Sequence, residues 1–464
     1  MTQLEDINRF FSDFLTSYTI SNGSNPYFKA LRKEAVEQFY RQGVPERDNE
    51  MWREMKWDFI VQNKKYSIQT EPNEYQPVEN YFQCATEDIH ADMFTFLNGW
   101  YVHKQAPLTL FPNGILVGSL REAILQYPEL VATYLAKNKE ISNGLIDTNQ
   151  ALWQDGFFAY IPDHIHVKRP IQIVYIVNSD QHLFIQPRNL ICLGENASVQ
   201  IVHCDDSLEC KETLINTVTE IYVGKDSHCD YYKLENKDNQ STLINHLLIQ
   251  QQGASKVNTN TTVFNGGMVH NTITVSLNEP KAEVNTNGLY LVDKNQDISN
   301  CLFIKHHAPD CKSNQLYKGI LDDKAKAKFI GHVLVEKDAQ KTEAHQTNRN
   351  ILLTDEADVL SKPFLEIYAD DVKCSHGSTV GQLDEEAMFY LRSRGICTTN
   401  ARILLMHAFA GEVVDKINIE ALSERTERLV RKRLTGEIIS CKNCMQACDK
   451  KNISFEIELP DLQA

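Results

Sequence analysis

The stretch GASKVNTNTTVFNGGMVHNTITVSLNEPKAEVNTNGLYLV, residues 253–292, makes nearly the same statement twice. Each half opens on a turn residue and a small residue, Ser255 or Ala282. A spacer and a small apolar residue follow, and the chain runs on through KVNTN or EVNTN. Helical periodicity is missing, and the segments TITVSLN and GLYLV read as short strands. One such strand cannot bury an apolar face alone, whereas a stack of them shares a continuous core. The Asn-rich runs suit a stack as well, because side-chain amides can hydrogen-bond from one coil to the next.

Working outward, the same unit recurs in GENASVQI, GKDSHCDYY, DKAKAKFI and DEADVLSK. With the first two, the small residues are Ala197, Ser227, Ser255, Ala282, Ala325 and Ala357. They fall roughly every 30 residues, with one longer gap before Ala325. Further strands are IQIVYIV, NLICLG, SVQIVHC, TVTEIYV, CDYYKL, HLLIQ and CLFIKH. A β-helix, or β-solenoid, is the reading preferred over a β-sandwich, which would carry turn signals about every 8–12 residues and no longer repeat.

Helical signals flank this region. NPYFKALRKEAVEQFYRQGVP spaces Phe28, Leu31, Ala35, Phe39 and Tyr40 at helical intervals, and Gly43 and Pro45 end it. MFTFLNGWYVHK reads as a hairpin turning at Asn98-Gly99. SLREAILQYPELVATYLAK returns to helix with Ser119 as its cap. After the strands, QLDEEAMFYLRSRG sets Leu383, Ala387, Tyr390 and Leu391 on one side and ends at Gly395. Two more helices follow, the second mixing Glu and Arg at spacings of three and four. The expected organisation is a helix-rich region with a hairpin (1–150), a β-helix core (151–378), a C-terminal helical region (379–440) and a cysteine-containing tail (441–464).

The chain has 464 residues with 42% hydrophobic and 23% charged content, values of a globular protein. Its net charge of −15 repels phosphate backbones, so nucleic acid is not an expected partner. No apolar run approaches the ~20 residues of a membrane-spanning helix. The start, MTQLEDINRFFSDF, lacks a basic-then-apolar targeting pattern, and a cytoplasmic location is expected. The 12 cysteines are scattered, as free thiols in a reducing compartment would be. No Walker A, GxSxG or HExxH pattern occurs, so neither nucleotide hydrolysis nor a familiar hydrolase is expected of this chain.

Three places carry soft-metal ligands. In YADDVKCSHGSTVG (368–381), Cys374 and His376 are two apart, and on an extended segment they share a face. A thiolate and an imidazole could approach one iron or zinc together, but two ligands do not close a site. The bland reading is a buried thiol and a surface histidine. The second place, CLFIKHHAPDC, holds Cys301, His306, His307 and Cys311 at a spacing that fits no zinc ribbon, and structural roles are favoured. The third is the tail, with Cys441, Cys444 and Cys448 in a locally basic C-x2-C-x3-C run that would need a fourth ligand.

The stretch LEIYADDVKCSHGSTVGQLDEEAMFYLRSRGI resembles the signature of the SufB/SufD family of iron–sulfur cluster assembly proteins, on its SufD branch. SNQLYKGILDDKAKAKFIGHVLVEKDAQKTEAHQTNRNILLTDEADVLSKPF is similar to the preceding core, and GVPERDNEMWREMKW and FLNGWYV to N-terminal segments. The resemblance spans about 40–435 and is dense over 307–410. It implies a right-handed parallel β-helix between helical ends. It implies a SufB-like partner bound through the β-helix and a SufC-like ABC ATPase bound through the C-terminal helices, which would account for the missing P-loop. A homodimer of the isolated chain is a further expectation.

The family histidine implicated in cluster assembly corresponds to His376, and its neighbouring cysteine to Cys374. The cargo would be iron or a nascent iron–sulfur cluster, held transiently and shared with the SufB-like partner. The sulfur-accepting cysteine of the SufB branch is missing from HQTNRNILL, which favours SufD; a SufB-like scaffold is the alternative. The resemblance assigns nothing to the tail thiols. Outside the family, a polysaccharide-cleaving β-helix or an inert interaction platform would be the competing readings.

Overall fold

A computed structural model describes residues 3–436 except 19–24, 47, 54, 62–65, 73–88, 103–105 and 139–141. From Arg188 onward, strands consecutive in the chain go alternately to two facing parallel sheets. The first sheet takes, among others, Ser198–Cys210, His228–Asn236, Lys256–Asn265, Glu283–Val292, Lys312–Leu321, Thr342–Leu352 and Val372–Gly381. The second takes Arg188–Leu193, Leu214–Val223, Thr242–Gln251, Met268–Leu277, Asp297–His306, Lys326–Val335 and Asp358–Ile367. Each sheet grows by one parallel strand per coil. The fold is therefore a β-solenoid, as the repeat predicts, and the sandwich is excluded.

The repeat has a physical origin at the corners. Ala197, Ser227, Ser255 and Ala282 each precede a strand of the first sheet and are buried. Directly before them stand Asn196, Asp226, Ala254 and Lys281, all at positive φ. The left-handed residue turns the chain, and the small one tucks under the corner. The longer gap before Ala325 has an explanation the sequence hid. The next member of the series is Cys311, buried after left-handed Asp310, whereas Ala325 and Ala357 open strands of the second sheet.

The asparagines stack as expected. On the outer side of the first sheet, Asn258 Nδ2 donates to Asp230 Oδ1 (2.7 Å), Asn285 to Asn258 (2.9 Å) and Asn314 to Asn285 (3.0 Å). Inside, one apolar cluster runs along the solenoid from Phe94 to Ala369. Two glycines in that interior make room for rings: Gly288 lies in register with Tyr317 and Gly319 with Tyr290.

Helices cover both outer faces. On the second sheet, Phe11 packs with Phe184, and Ile146 with Val218 and Leu248. On the first, Asn260 Nδ2 donates to Val413 O (2.8 Å), and Arg433 pairs with Asp293 (2.8 Å). The helix Pro26–Gln42 stops at Gly43 (φ +65°), Ser119 Oγ caps its helix at Glu122, and Asn98 and Gly99 turn the hairpin with positive φ, as expected. Tyr40 departs from the expected apolar stripe: it is 58% exposed, and its hydroxyl meets Ser12 instead. The short helix Glu385–Ser393 departs further. It buries no residue fully, leaving Phe389 and Tyr390 74% and 57% exposed, because no other element of the described chain covers that side. Among the described residues no helix is long and apolar enough to cross a membrane.

Candidate functional site

The solenoid ends on Asp358–Ile367 and Val372–Gly381, the outermost strands of their sheets. Neither has a further strand beyond it among the described residues. Main-chain donors and acceptors along these edges are thus left facing outward, the arrangement to which another strand can add. Phe364, Ile367, Tyr368 and Val380 are exposed there.

Cys374 and His376 both lie on Val372–Gly381, and both are on its inner side. Cys374 is in register with buried Ala344, His376 with buried Gln346. Cys374 is half-buried against the top of the core, whereas His376 is exposed at the mouth of the interior. Burial pushes the Cys374 thiol up from its usual range, which favours the neutral thiol. Below His376 the interior is polar. Gln346 Nε2 donates to Phe364 O (3.2 Å), Ser361 Oγ donates to Asn348 (2.7 Å), and the Ser378 and Ser361 hydroxyls meet at 2.7 Å. Gln315, one coil deeper in the same column, has neither amide atom hydrogen-bonded.

Among the described residues, no third His, Cys, Asp or Glu joins this pair into a group able to hold a metal ion. The second candidate place dissolves in three dimensions. Cys301 meets Met51 O on the outer face of the second sheet (3.6 Å), and His306 bonds Ser313 at the core. His307 pairs with Glu336 (2.8 Å), and Cys311 meets Glu279 O (3.3 Å). Each of the four thus has its own partner in the fold, and among the described residues they form no group able to hold a metal ion. Cys441, Cys444 and Cys448 lie outside the described residues.

Sequence reading missed a charged cluster deep in the interior. Lys233 Nζ lies 3.2 Å from both Asp205 and Glu235, and all three are buried. Asn245 and Asn271 donate to Glu235 from the facing sheet. Burial alone would raise the Asp205 carboxyl, but the charges of Lys233 and His203 outweigh it and hold Asp205 well below its usual range. The signal existed as inward positions 205, 233 and 235. It became readable only once strand register was known, because their sequence context is that of a polar face.

The fold and site define a class: a β-solenoid, helix-covered on its outer faces, whose soft-ligand side chains stand at an uncovered end. The chain belongs to the SufB/SufD family of iron–sulfur cluster assembly proteins. Residues 175–409 match the SUF system FeS cluster assembly SufBD core domain, and residues 5–173 the SufBD protein N-terminal region. It is 30% identical to an iron–sulfur cluster assembly SufBD family protein of Synechocystis, over 74% of this chain and 78% of that one. It is 28% identical to the iron–sulfur cluster assembly protein SufD of Escherichia coli, over 87% and 92%. Its identity to SufD of Bacillus subtilis is 22%, over 91% and 97%.

Proposed function

We propose that this chain is a SufD-like, non-enzymatic subunit that helps build iron–sulfur clusters at an interface shared with a SufB-like partner. One observation carries the reading. Cys374 and His376 stand together on the inner side of the last strand, at the open mouth of the solenoid. Two ligands leave a metal's remaining positions vacant, and a partner added to the end strands would supply the rest. Imidazole and thiolate are apt ligands for iron and sulfur-bound iron. A shared site also responds to relative motion of its halves, which suits a reaction driven by ATP hydrolysis elsewhere. The exposed Phe389, Tyr390 and Leu404 of the C-terminal helices offer an apolar surface for the SufC-like ATPase.

The test is anaerobic cluster formation on the complex of this chain with its SufB-like and SufC-like partners, comparing the native chain with His376→Ala. The expected result is a collapse of cluster yield with the complex intact. An unchanged yield would remove His376 from the chemistry and turn attention to Cys374 and the tail thiols. A purified chain that holds a stable cluster alone would instead make it a SufB-like scaffold.

A further inference from the structure

A cavity of about 530 Å³ lies between the helices Pro26–Gln42 and Gly144–Leu152 and the outer face of the second sheet, a size that takes a small molecule. Leu248, which lines it, stands four strands below the outermost strand Asp358–Ile367, so the cavity is separate from the open end. Tyr27, Leu31, Ile146 and Leu248 give it apolar walls. The helix Gly144–Leu152 brings Asp147 and Gln150 to the same cavity, three residues apart and therefore on one side of the helix. Each is only 7% exposed.

The charges around this cavity do not balance. Arg188 gives Nε (3.1 Å) and Nη2 to Glu220 and Nη1 to Asn149 (3.2 Å), so its charge is matched. Lys137 Nζ stands over the Tyr27 ring, 5.4 Å from the centroid. Asp147 accepts hydrogen bonds from two neutral groups, Gln42 Nε2 and Ser142 Oγ (3.2 Å), and among the described residues it forms no ion pair with a lysine or arginine. Glu34 lines the same cavity, and its negative charge acts against that of Asp147. Gln150 Oε1 accepts no hydrogen bond. A buried carboxylate without a counter-charge and a buried carbonyl without a donor are both costly. One chemical group answers both: a cationic N–H donor.

We propose that this cavity binds a small organic cation, an ammonium or amidinium group carried on an apolar body. The cation pairs with the Asp147 carboxylate, with Gln150 Oε1 as a second acceptor, and the apolar body lies against Leu31, Ile146 and Leu248. An anion is opposed by Asp147 and Glu34. A bare metal ion does not fit, because among the described residues no three His, Cys, Asp or Glu come together to hold one. Acid should release the ligand. Burial raises the Asp147 carboxyl to about 6, Glu34 acts in the same direction and Arg188 against it. Protonation removes the charge that holds the cation, so affinity falls below that pH.

Benzylamine is the probe, with benzyl alcohol as its neutral and benzoate as its anionic counterpart. Each is titrated against the full chain by calorimetry and saturation-transfer NMR. At pH 8 we expect saturable binding of benzylamine to one site, at least tenfold tighter than either counterpart. It should weaken about tenfold at pH 5, where most of the Asp147 carboxyl is protonated. At pH 8, Asp147→Asn should weaken it at least tenfold and Gln150→Leu a few-fold, with thermal melts reporting that both variants fold. If Asp147→Asn does not fold, the comparison of pH 8 with pH 5 on the native chain decides. Benzyl alcohol binding as tightly as benzylamine would make the cavity an apolar pocket only and overturn the cation assignment. Tighter binding of benzoate would assign the cavity to Arg188 and Lys137 and overturn it equally. No saturable binding of benzylamine at millimolar concentration, or binding that neither Asp147→Asn nor acid weakens, overturns the site.

Discussion

The Trp52 indole stacks on the His270 imidazole with ring centroids 3.9 Å apart, joining a segment near the N-terminus to the outer face of the second sheet. Around this contact, Lys328 Nζ donates to Glu50 O (2.9 Å) and Met51 O (3.2 Å), and Lys362 pairs with the Glu50 carboxylate. Lys56 reaches Asp297 at 2.6 Å. A strap about ten residues long therefore ties the N-terminal region to the last coils of the solenoid, close to the open end. His246 and His270 beneath it are buried, and burial holds both imidazoles neutral, His246 down to about 3.

Removing the indole should release the strap. Trp52 is 2% exposed, and Trp52→Ala is expected to cost about 3–5 kcal/mol in urea unfolding, with Trp52→Phe retaining part of it. Hydrogen exchange should rise over residues 48–57 first. Loss below 1 kcal/mol would mean that the strap contributes little.

Two glycine substitutions should move stability in opposite directions. A Cβ on Gly319 would lie 2.1 Å from Tyr290 Cε2, inside the filled interior. Gly319→Ala is expected to destabilise by about 1–3 kcal/mol. Gly411 sits within the helix Thr398–Val414 with nothing within 4 Å of a built Cβ. Gly411→Ala should stabilise by about 0.5–1 kcal/mol. Thermal melts of the two variants against the native chain check both.

Asp147 gives a pH dependence of defined sign. Burial raises its carboxyl to about 6, against hydrogen bonds from Gln42 and Ser142 that favour the charged form. A carboxyl raised in the folded state favours folding while protonated. That contribution is complete below about pH 4, the unfolded value, and is lost as pH rises through 6. Asp147→Asn should therefore stabilise the protein by about 1–3 kcal/mol at pH 8 and by far less at pH 4. Denaturant midpoints at the two pH values measure the difference.

The root of the amide ladder should show the opposite slope. Burial alone would raise the Asp230 carboxyl, but bonds from His228, Gln200 and Asn258 hold it well below the usual range. Its contribution is present above about pH 4 and fades as acid is added. Asn258→Ala is expected to cost about 1–2 kcal/mol at pH 7, and that cost should shrink as the pH falls below 4. An equal cost at pH 3 and pH 7 would remove Asp230 from the account.

Much of this molecule was written in its residues. Small residues behind turn residues, about 30 apart, are what a coil corner demands, and Asn at one repeat position is what stacked amides demand. These local requirements pointed to a solenoid without any long-range information. Cys374 and His376, two apart on an extended run, were likewise destined for one side of a strand. Which side was another matter. A shift of one residue in register turns every side chain over, and only the pairing of Val372–Gly381 with Thr342–Leu352 turned the pair inward. Register also sorted one apparent repeat into two sheets. It gathered Lys233, Asp205 and Glu235 into the interior, set Trp52 over His270, and lined up Lys256, Glu283, Lys312, Glu343 and Lys373 in one column. Apart from the near neighbours Lys233 and Glu235, those relations join positions roughly 30 to 220 residues apart, and no local propensity encodes them. They exist because coils stack on one another, and stacking is a property of the whole chain.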